Sequence, residues 1–408
     1  MSPMQDDRPI AELWQNRNYR NFWLAQISIS AVGGTLRFVF VWLVVTLTDW
    51  TAAEGLVTVA LGIPAMLLSL PAGAWSDRSD RRQFFLTFTG INTILLACAA
   101  LLVGFDLVNV GLAAGLAFIL GASSAMMSPN LHAMVPLLVE PRLLMNAIAL
   151  QNGGSQAASF AGLALAGVAI ALLGNGGGFG LLTAFAAFAY LLMRRVEMPP
   201  ADPLPDRGSL SLGTVIIEGA KFGLSRDPLR TLLICAVLLG GSFPVVQVSL
   251  PRVVDEEFGK GSGAAGLVLG IFGIGMLLSS VLIARRTGMK HGRNVAIFLG
   301  IGLGGGQLAV SFARTYAAAF IVMFCWGFGA GIAMASHRTL IQLYTPKEMM
   351  GRVMGLMMLG LAGALPIGAL VQSLLAPAVG PTLTMRYVGL FTMVCAASLT
   401  WRPAIRNL

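Results

Sequence analysis

Three ionisable side chains lie inside long apolar stretches of the chain, where a charge is costly. Arg37 stands between Leu36 and Phe38, and His132 and His337 lie in two other apolar stretches. A guanidinium at the centre of a bilayer costs ~2.5–3.5 kcal/mol, so Arg37 should face an aqueous cavity and bind an anionic or carbonyl group there. Histidine titrates near neutral pH, so His132 and His337 can bind and release protons.

Each of these three residues also has a structural interpretation. Arg37 can pair with an acid near the outer end of another span, such as Asp255, or extend its side chain to the membrane interface. His132 and His337 can donate hydrogen bonds to neighbouring helices. Sequence alone leaves both interpretations open.

Uncharged amide side chains also lie within the apolar stretches. Such a side chain can hydrogen-bond a ligand or hold two helices together, at about 0.6 kcal/mol per bond between helices. Gln151 and Asn152 are adjacent, so they cannot both point in the same direction from one helix. The candidates for ligand binding are Gln26, Asn130, Gln151, Asn152, Gln247 and Gln342.

A short charged loop, Gly73–Arg82, separates two apolar stretches that are each long enough to cross a bilayer. Basic clusters of this kind stay on the cytosolic face of membrane proteins. The loop therefore indicates a chain that crosses the membrane several times.

Composition independently indicates a membrane protein. Hydrophobic residues make up 56% of the chain and charged residues 11%, against roughly 25% charged residues in soluble domains. The net charge of +9 does not indicate nucleic-acid binding, because the basic residues lie at the ends of apolar stretches. All four cysteines lie inside apolar stretches, so we expect neither disulfides nor a metal site.

A spanning helix needs about 20 mostly apolar residues. The sequence predicts an all-α membrane protein with spans at 20–47, 52–74, 83–105, 108–138, 143–173, 177–195, 229–256, 263–285, 292–313, 315–343, 347–376 and 381–401. Residues 1–20 are polar and mixed in charge, so the first span is not a signal peptide. Most lysine and arginine residues fall on one side when both termini are cytosolic, which predicts that orientation.

Prolines and polar residues in the middle of the chain predict a linker between two six-helix bundles. Met198–Asp206 cannot continue a helix, and residues 210–224 are expected to form a short helix on the inner surface. We predict an N-terminal bundle at 1–195, a linker at 196–228 and a C-terminal bundle at 229–408. His132 and His337 recur in the same register before Pro141 and Pro346, which indicates two related halves with a substrate site between them.

Two segments resemble the major facilitator superfamily. One is the loop Gly73–Arg82, which follows the spacing G-x-x-x-D-R-x-x-R-R, although the family usually has glycine in place of Asp80. The other is Thr345–Val353 with Gln342 just upstream, which looks like the branch of drug and siderophore exporters that includes the enterobactin exporter and macrolide efflux proteins. The resemblance implies two pseudo-symmetric six-helix bundles and alternating access.

The resemblance also implies a gate on the cytosolic side, formed by Gly73, Asp77, Arg78, Arg81 and Arg82. Asp77 would cap the helix that begins near Lys347, and Arg78, Arg81 and Arg82 would pair with Asp77 or with lipid phosphate. A carboxylate at a helix N-terminus is typically worth 0.3–1 kcal/mol, or ~2 when partly buried.

Two departures from the family bear on proton coupling. The antiporter signature of the fifth helix has a proline that Gly162–Gly167 lacks, so this helix should kink less. Proton-coupled members usually carry an acid within the membrane, and the acids of this chain, Glu54 among them, lie near the outer ends of the predicted spans.

These observations predict a secondary transporter of a bacterial inner membrane. It exports a small amphipathic compound, drug-like or a siderophore, with proton coupling expected from the resemblance. The open alternatives are import or flipping of a lipid-like metabolite, and a non-transporting sensor or scaffold. We expect a monomer in contact with membrane lipids, with no cofactor and no nucleic-acid partner. The sequence has no Ser-His-Asp grouping, metal-ligand spacing or phosphate loop outside the apolar stretches, so we do not expect an enzyme.

Overall fold

The computed structural model describes residues 8–198, 220–284, 304–346 and 349–400. Within these ranges the regular elements are helical, with no strand. The α-helices are α1 (Arg8–Gln15), α2 (Arg17–Leu47), α3 (Ala52–Arg78), α4 (Arg81–Gly104), α5 (Val110–Leu138), α6 (Leu144–Met193), α7 (Asp227–Glu256), α8 (Ser262–Ala284), α9 (Gly306–Ser311), α10 (Tyr316–Tyr344), α11 (Met350–Gly363), α12 (Leu365–Val379) and α13 (Pro381–Thr400).

The apolar stretches fold as the sequence predicts. Among the described residues, 8 helical stretches are long and apolar enough to cross a membrane. Helices α11 and α12 follow one another through a short irregularity and together supply one such stretch, Arg352–Val379. The all-α membrane fold is confirmed, whereas the count of twelve spans stays a prediction.

Local sequence signals explain where several helices begin and break. Asn109 caps α5 by accepting a hydrogen bond from the Leu112 amide, and Thr315 caps α10 in the same way. Helix α6 is interrupted at Gly174, whose φ of 74° is accessible to glycine at little cost. This break falls between the fifth and sixth predicted spans.

The described residues group into two compact units. The first lies within Met1–Phe40 and Ala60–Pro205, and the second within Val41–Val59 and Asp206–Leu408. The end of α2 and the start of α3 thus pack with helices from the second half of the sequence. The predicted boundaries at 1–195, 196–228 and 229–408 stay a prediction, and most of the predicted surface helix at 210–224 lies outside the described residues.

Each unit has its own apolar core. In the first unit, Tyr19 and Phe22 of α2 pack with Phe85, Met134 and Met193. In the second unit, α7, α10 and α11 contribute to a core whose buried members include Leu229, Leu232, Leu340, Ile341 and Val353. These cores fix the rotation of each helix about its axis, and with it the direction of the polar side chains.

Candidate functional site

Helices α2 and α6 lie side by side and run in the same direction. Side chains bond from one helix to the other over successive turns: Tyr19 Oη to the Ala147 carbonyl (3.1 Å), Trp23 Nε1 to the Leu150 carbonyl (3.2 Å), Gln26 Nε2 to Ser155 Oγ (3.3 Å) and Ser159 Oγ to the Ser30 carbonyl (2.9 Å). We call this hydrogen-bonded contact and its flanking polar residues the polar seam. It sets the direction of the polar side chains of α2 and α6 that are described in the next two paragraphs.

On α2, one face of the helix carries the polar residues of the seam. Gln26, Ser30, Gly33 and Arg37 follow one another at intervals of four, three and four residues, which places them within roughly 60° around the helix. Gly33 is exposed, and its surroundings would leave open space around an added β-carbon. Arg37 is half-buried and lies about 16 Å along the axis from Gln26.

On α6, the facing residues are polar as well. Asn152 and Gln156 are exposed, while Ser155 and Ser159 are half-buried where they bond to α2. All four fall within roughly 100° of one another around the helix. An added β-carbon on Gly153 would also meet open space. Exposed amides in a membrane span usually face water or a ligand, since lipid cannot hydrogen-bond them.

The polar seam combines one cation with amides and hydroxyls. Gln26 is buried, and its Oε1 atom has no hydrogen-bond partner among the described residues. A guanidinium forms strong bonds to carboxylate or phosphate oxygens, and to carbonyl oxygens. The seam therefore has the groups needed to bind a compound with an anionic or carbonyl group and further polar atoms.

The other predicted amides have different surroundings. Gln151 is buried and donates a 3.4 Å hydrogen bond from Nε2 to the Leu131 carbonyl. In the second unit, Gln247 is half-buried and Gln342 is exposed. The side chain of Asn130 lies outside the described residues. The structure thus places Gln26, Arg37 and Asn152 in the same unit, on the two helices of the polar seam.

The two predicted proton carriers differ in what the structure describes. His337 is buried in α10, and its Nε2 lies 2.8 Å from the Leu232 carbonyl oxygen of α7. Because a carbonyl only accepts hydrogen bonds, this contact requires a proton on Nε2. His337 therefore ties α10 to α7. The side chain of His132 lies outside the described residues.

The charged loop between α3 and α4 is described in part. Asp80 caps α4 by accepting hydrogen bonds from the amides of Arg82 and Gln83, which explains an acid at the position where the family usually has glycine. Arg82 Nη2 donates a 2.8 Å hydrogen bond to the Arg194 carbonyl, and Arg81 is half-buried. Gly73, Asp77 and Arg78 lie in the last turns of α3, and the side chains of Asp77 and Arg78 lie outside the described residues.

Sequence reasoning missed a buried ion pair in the second unit. Glu54, in the first turn of α3, binds Arg252 Nε, in the last two turns of α7. Their side chains are 0% and 2% exposed. The sequence places both charges near span ends, where charges are common, and the only signal of their contact was that each lies among apolar neighbours.

Comparison with known proteins identifies the family. The family model described as transmembrane secretion effector matches residues 9–407. The multidrug efflux pump Tap of Mycolicibacterium fortuitum is 25% identical over 395 residues, covering 94% of this chain and 95% of that protein. The staphyloferrin A transporter of Staphylococcus aureus (strain NCTC 8325 / PS 47) is 23% identical over 377 residues, covering 91% and 90%.

Solved transporter structures share the fold. The nucleoside transporter NupG matches with a TM-score of 0.74 at 13% identity, over 94% of this chain and 98% of that chain. A bacterial homologue of the human lysosomal transporter Spinster matches with a TM-score of 0.67 at 15% identity, over 96% and 93%. Together with the match over nearly the whole sequence, this shows that the chain belongs to the transmembrane secretion effector family of major facilitator transporters.

Proposed function

We propose that this transporter exports a small amphipathic compound, drug-like or a siderophore, by alternating access in exchange for protons. The observation that carries the proposal is the polar seam, in which Arg37 and Gln26 share one face of α2 beside the exposed amides Asn152 and Gln156. Arg37 binds an anionic or carbonyl group of the compound, and the amides bind its other polar atoms. Surrounding apolar side chains accommodate the rest of the molecule.

The relatives support this class of compound, and the name of one of them supports export. One is named a multidrug efflux pump and the other a siderophore transporter, and each aligns over nine-tenths or more of this chain. Residues outside the seam complete the proposed path: Asn130, Gln151, Gln247 and Gln342 as further ligand contacts, and His132 and His337 as proton carriers.

We assign the cytosolic gate to the loop before α4. Asp77 closes it, with Gly73 permitting close packing and Arg78, Arg81 and Arg82 pairing with Asp77 or with lipid phosphate. The contact of Arg82 with the Arg194 carbonyl supports an anchored loop, because it ties the start of α4 to the end of α6. The protein works as a monomer in a bacterial inner membrane, with both termini in the cytosol.

Purified protein in liposomes that enclose a pH-sensitive dye tests this function. A proton gradient is imposed, and cationic drugs and catecholate siderophores are added one at a time. We expect proton movement that depends on the compound, which would establish exchange and name the substrate class. Liposomes containing the Arg37→Ala protein are the matched control, since the seam then lacks its cation.

If no compound of the panel causes proton movement, and the protein is folded and correctly inserted, proton-coupled export is contradicted. Accumulation of a compound in cells that express the protein, in place of its depletion, would reverse the proposed direction. Transport without proton movement would remove the coupling and retain the export.

A further inference from the structure

A buried arginine of α7 joins three parts of the second unit. Arg252 Nε binds Glu54 of α3, Nη1 lies 2.7 Å from Glu256 Oε1, and Nη2 donates a 2.8 Å hydrogen bond to the Thr48 carbonyl. The side chains of Arg252 and Glu54 are almost fully buried, whereas Glu256 is 49% exposed. Arg252 thus fastens the α2–α3 turn to the last turns of α7.

Among the described residues, one oxygen atom of the buried Glu54 carboxylate has a hydrogen-bond partner and the other has none. Glu54 Oε1 binds Arg252, whereas Oε2 is buried with no hydrogen-bond partner among the described residues. An ionised carboxylate can accept several hydrogen bonds, and burying one with an unmet oxygen costs free energy. A proton on the carboxylate removes this charge. Arg252 keeps two other contacts, through Nη1 to Glu256 and through Nη2 to the Thr48 carbonyl, so its charge is still paired when Glu54 is protonated.

Other unmet polar groups lie in the neighbouring helices. Ser249, one turn before Arg252, is fully buried, and its Oγ has no hydrogen-bond partner in the described part of the chain. The side chain of Gln372 on α12 is also fully buried, and neither of its amide atoms has a hydrogen-bond partner within the ranges that the structure describes. Gln372 adjoins Ser373, against which the backbone of Gly55 packs. Buried groups that lack partners cost free energy, so an arrangement that supplied those partners would regain it.

We propose that Glu54 is a proton-binding site and that its protonation releases the α2–α3 turn from α7. A proton from water converts the carboxylate to a carboxylic acid, its bond to Arg252 weakens, and Arg252 stays with Glu256. We call the contacts of Arg252 with Glu54 and with the Thr48 carbonyl the latch. In the predicted orientation the latch lies on the outer side of the membrane. The inference rests on the proposed proton exchange and names a group on which the proton acts.

The groups around Glu54 give the sign of the pH response. Arg252 and Glu256 are the charged side chains that α7 brings to it. Asp49 before α3, and Asp255 and Glu257 at the end of α7, are exposed to solvent. Helix α12 has no titratable residue. At high pH the ionised Glu54 holds Arg252 and the latch is closed, and acidification opens it.

Distance measurements between two spin labels test the latch without any substrate. Labels are attached at Asp49→Cys on the α2–α3 turn and Lys260→Cys after α7, in protein whose native cysteines are alanine. The distance between the labels is measured by double electron–electron resonance in nanodiscs, in alkaline and in acidic buffer. We expect the distance to lengthen on acidification in the otherwise native protein. With Glu54→Gln it should be long in both buffers, because glutamine mimics the protonated acid.

Glu256→Gln is the matched control, since it removes a half-exposed acid from the same arginine and should preserve the lengthening. A distance that does not change with pH, or an unchanged pH response in Glu54→Gln, would overturn the proposal. Should Glu54→Gln fail to fold, infrared spectroscopy of the native chain labelled with ¹³C-glutamate decides, because no buried protonated carboxyl on acidification would also overturn it. If no compound of the panel causes proton movement but the distance between the labels still lengthens on acidification, only the proposed export is refuted.

Discussion

Ser159 of α6 donates a 2.9 Å hydrogen bond to the carbonyl of Ser30, one turn before Gly34 on α2. At Gly34 the two helices are so close that an added β-carbon would come within 2.5 Å of Ser159 Cβ and 2.8 Å of its Cα. The preceding residue, Gly33, has open space in the same test. Two adjacent glycines of one helix thus have opposite surroundings, and this arises from the packing of α2 on α6.

We predict opposite effects for the same substitution at these two positions. Gly34→Ala should destabilise the protein by ~1–3 kcal/mol, because the backbone of Ser159 must move. Gly33→Ala should be neutral or stabilising, since alanine favours a helix over glycine by ~1 kcal/mol. Thermal unfolding of both variants in detergent, followed by tryptophan fluorescence, provides the comparison. Equal thermal unfolding midpoints for Gly33→Ala and Gly34→Ala would mean that α2 does not pack on α6 as described.

Arg37→Ala should weaken the binding of anionic compounds and leave the yield of folded protein unchanged. A hydrogen bond to a charged group contributes ~1.5–3 kcal/mol, so we expect a loss of about tenfold or more in affinity. Calorimetric titration of purified protein with an anionic and a neutral ligand gives the measurement. The neutral ligand should be affected far less, and Arg37→Lys should retain part of the affinity. Loss of folded protein instead would show that Arg37 is a structural partner.

Two substitutions at His337 separate a structural role from a role in carrying protons. The contact with the Leu232 carbonyl requires a donor at this position, so His337→Leu should cost ~1–3 kcal/mol of stability. Glutamine retains a donor but cannot carry a proton. We therefore expect His337→Gln to fold better than His337→Leu but to lose proton movement in dye-loaded liposomes. Proton movement that persists in well-folded His337→Gln protein would contradict the role of His337 as a proton carrier.

Local patterns in the sequence predict local features of the fold. The apolar stretches predict the helices, and the interruption near Gly174 falls where a turn is expected. Arg37 stands out because a charge within an apolar stretch is costly wherever the neighbouring helices lie. The role of Asp80 also follows from local sequence, because an acid directly before a helix is a typical N-cap.

Contacts between distant residues could not be predicted in this way. Gln26 and Ser155 are separated by 129 residues, and Arg252 and Glu54 by 198. Which faces of two helices meet depends on the packing of all their apolar side chains. Glu54 therefore looks like one of several acids near span ends, and only the packed structure distinguishes it from the exposed Asp49 and Asp255.

The ion pair itself leads to a prediction about stability. Arg252→Gln should destabilise the protein by ~3–5 kcal/mol at high pH, because it leaves the buried carboxylate of Glu54 without its cation. Glu256→Gln should cost less than ~1 kcal/mol, since its carboxylate is 49% exposed and solvent screens it. The penalty of Arg252→Gln should shrink on acidification, because a protonated Glu54 needs no cation. Urea unfolding of the three proteins in alkaline and acidic buffer measures these differences, and a penalty independent of pH would show that Glu54 stays ionised throughout.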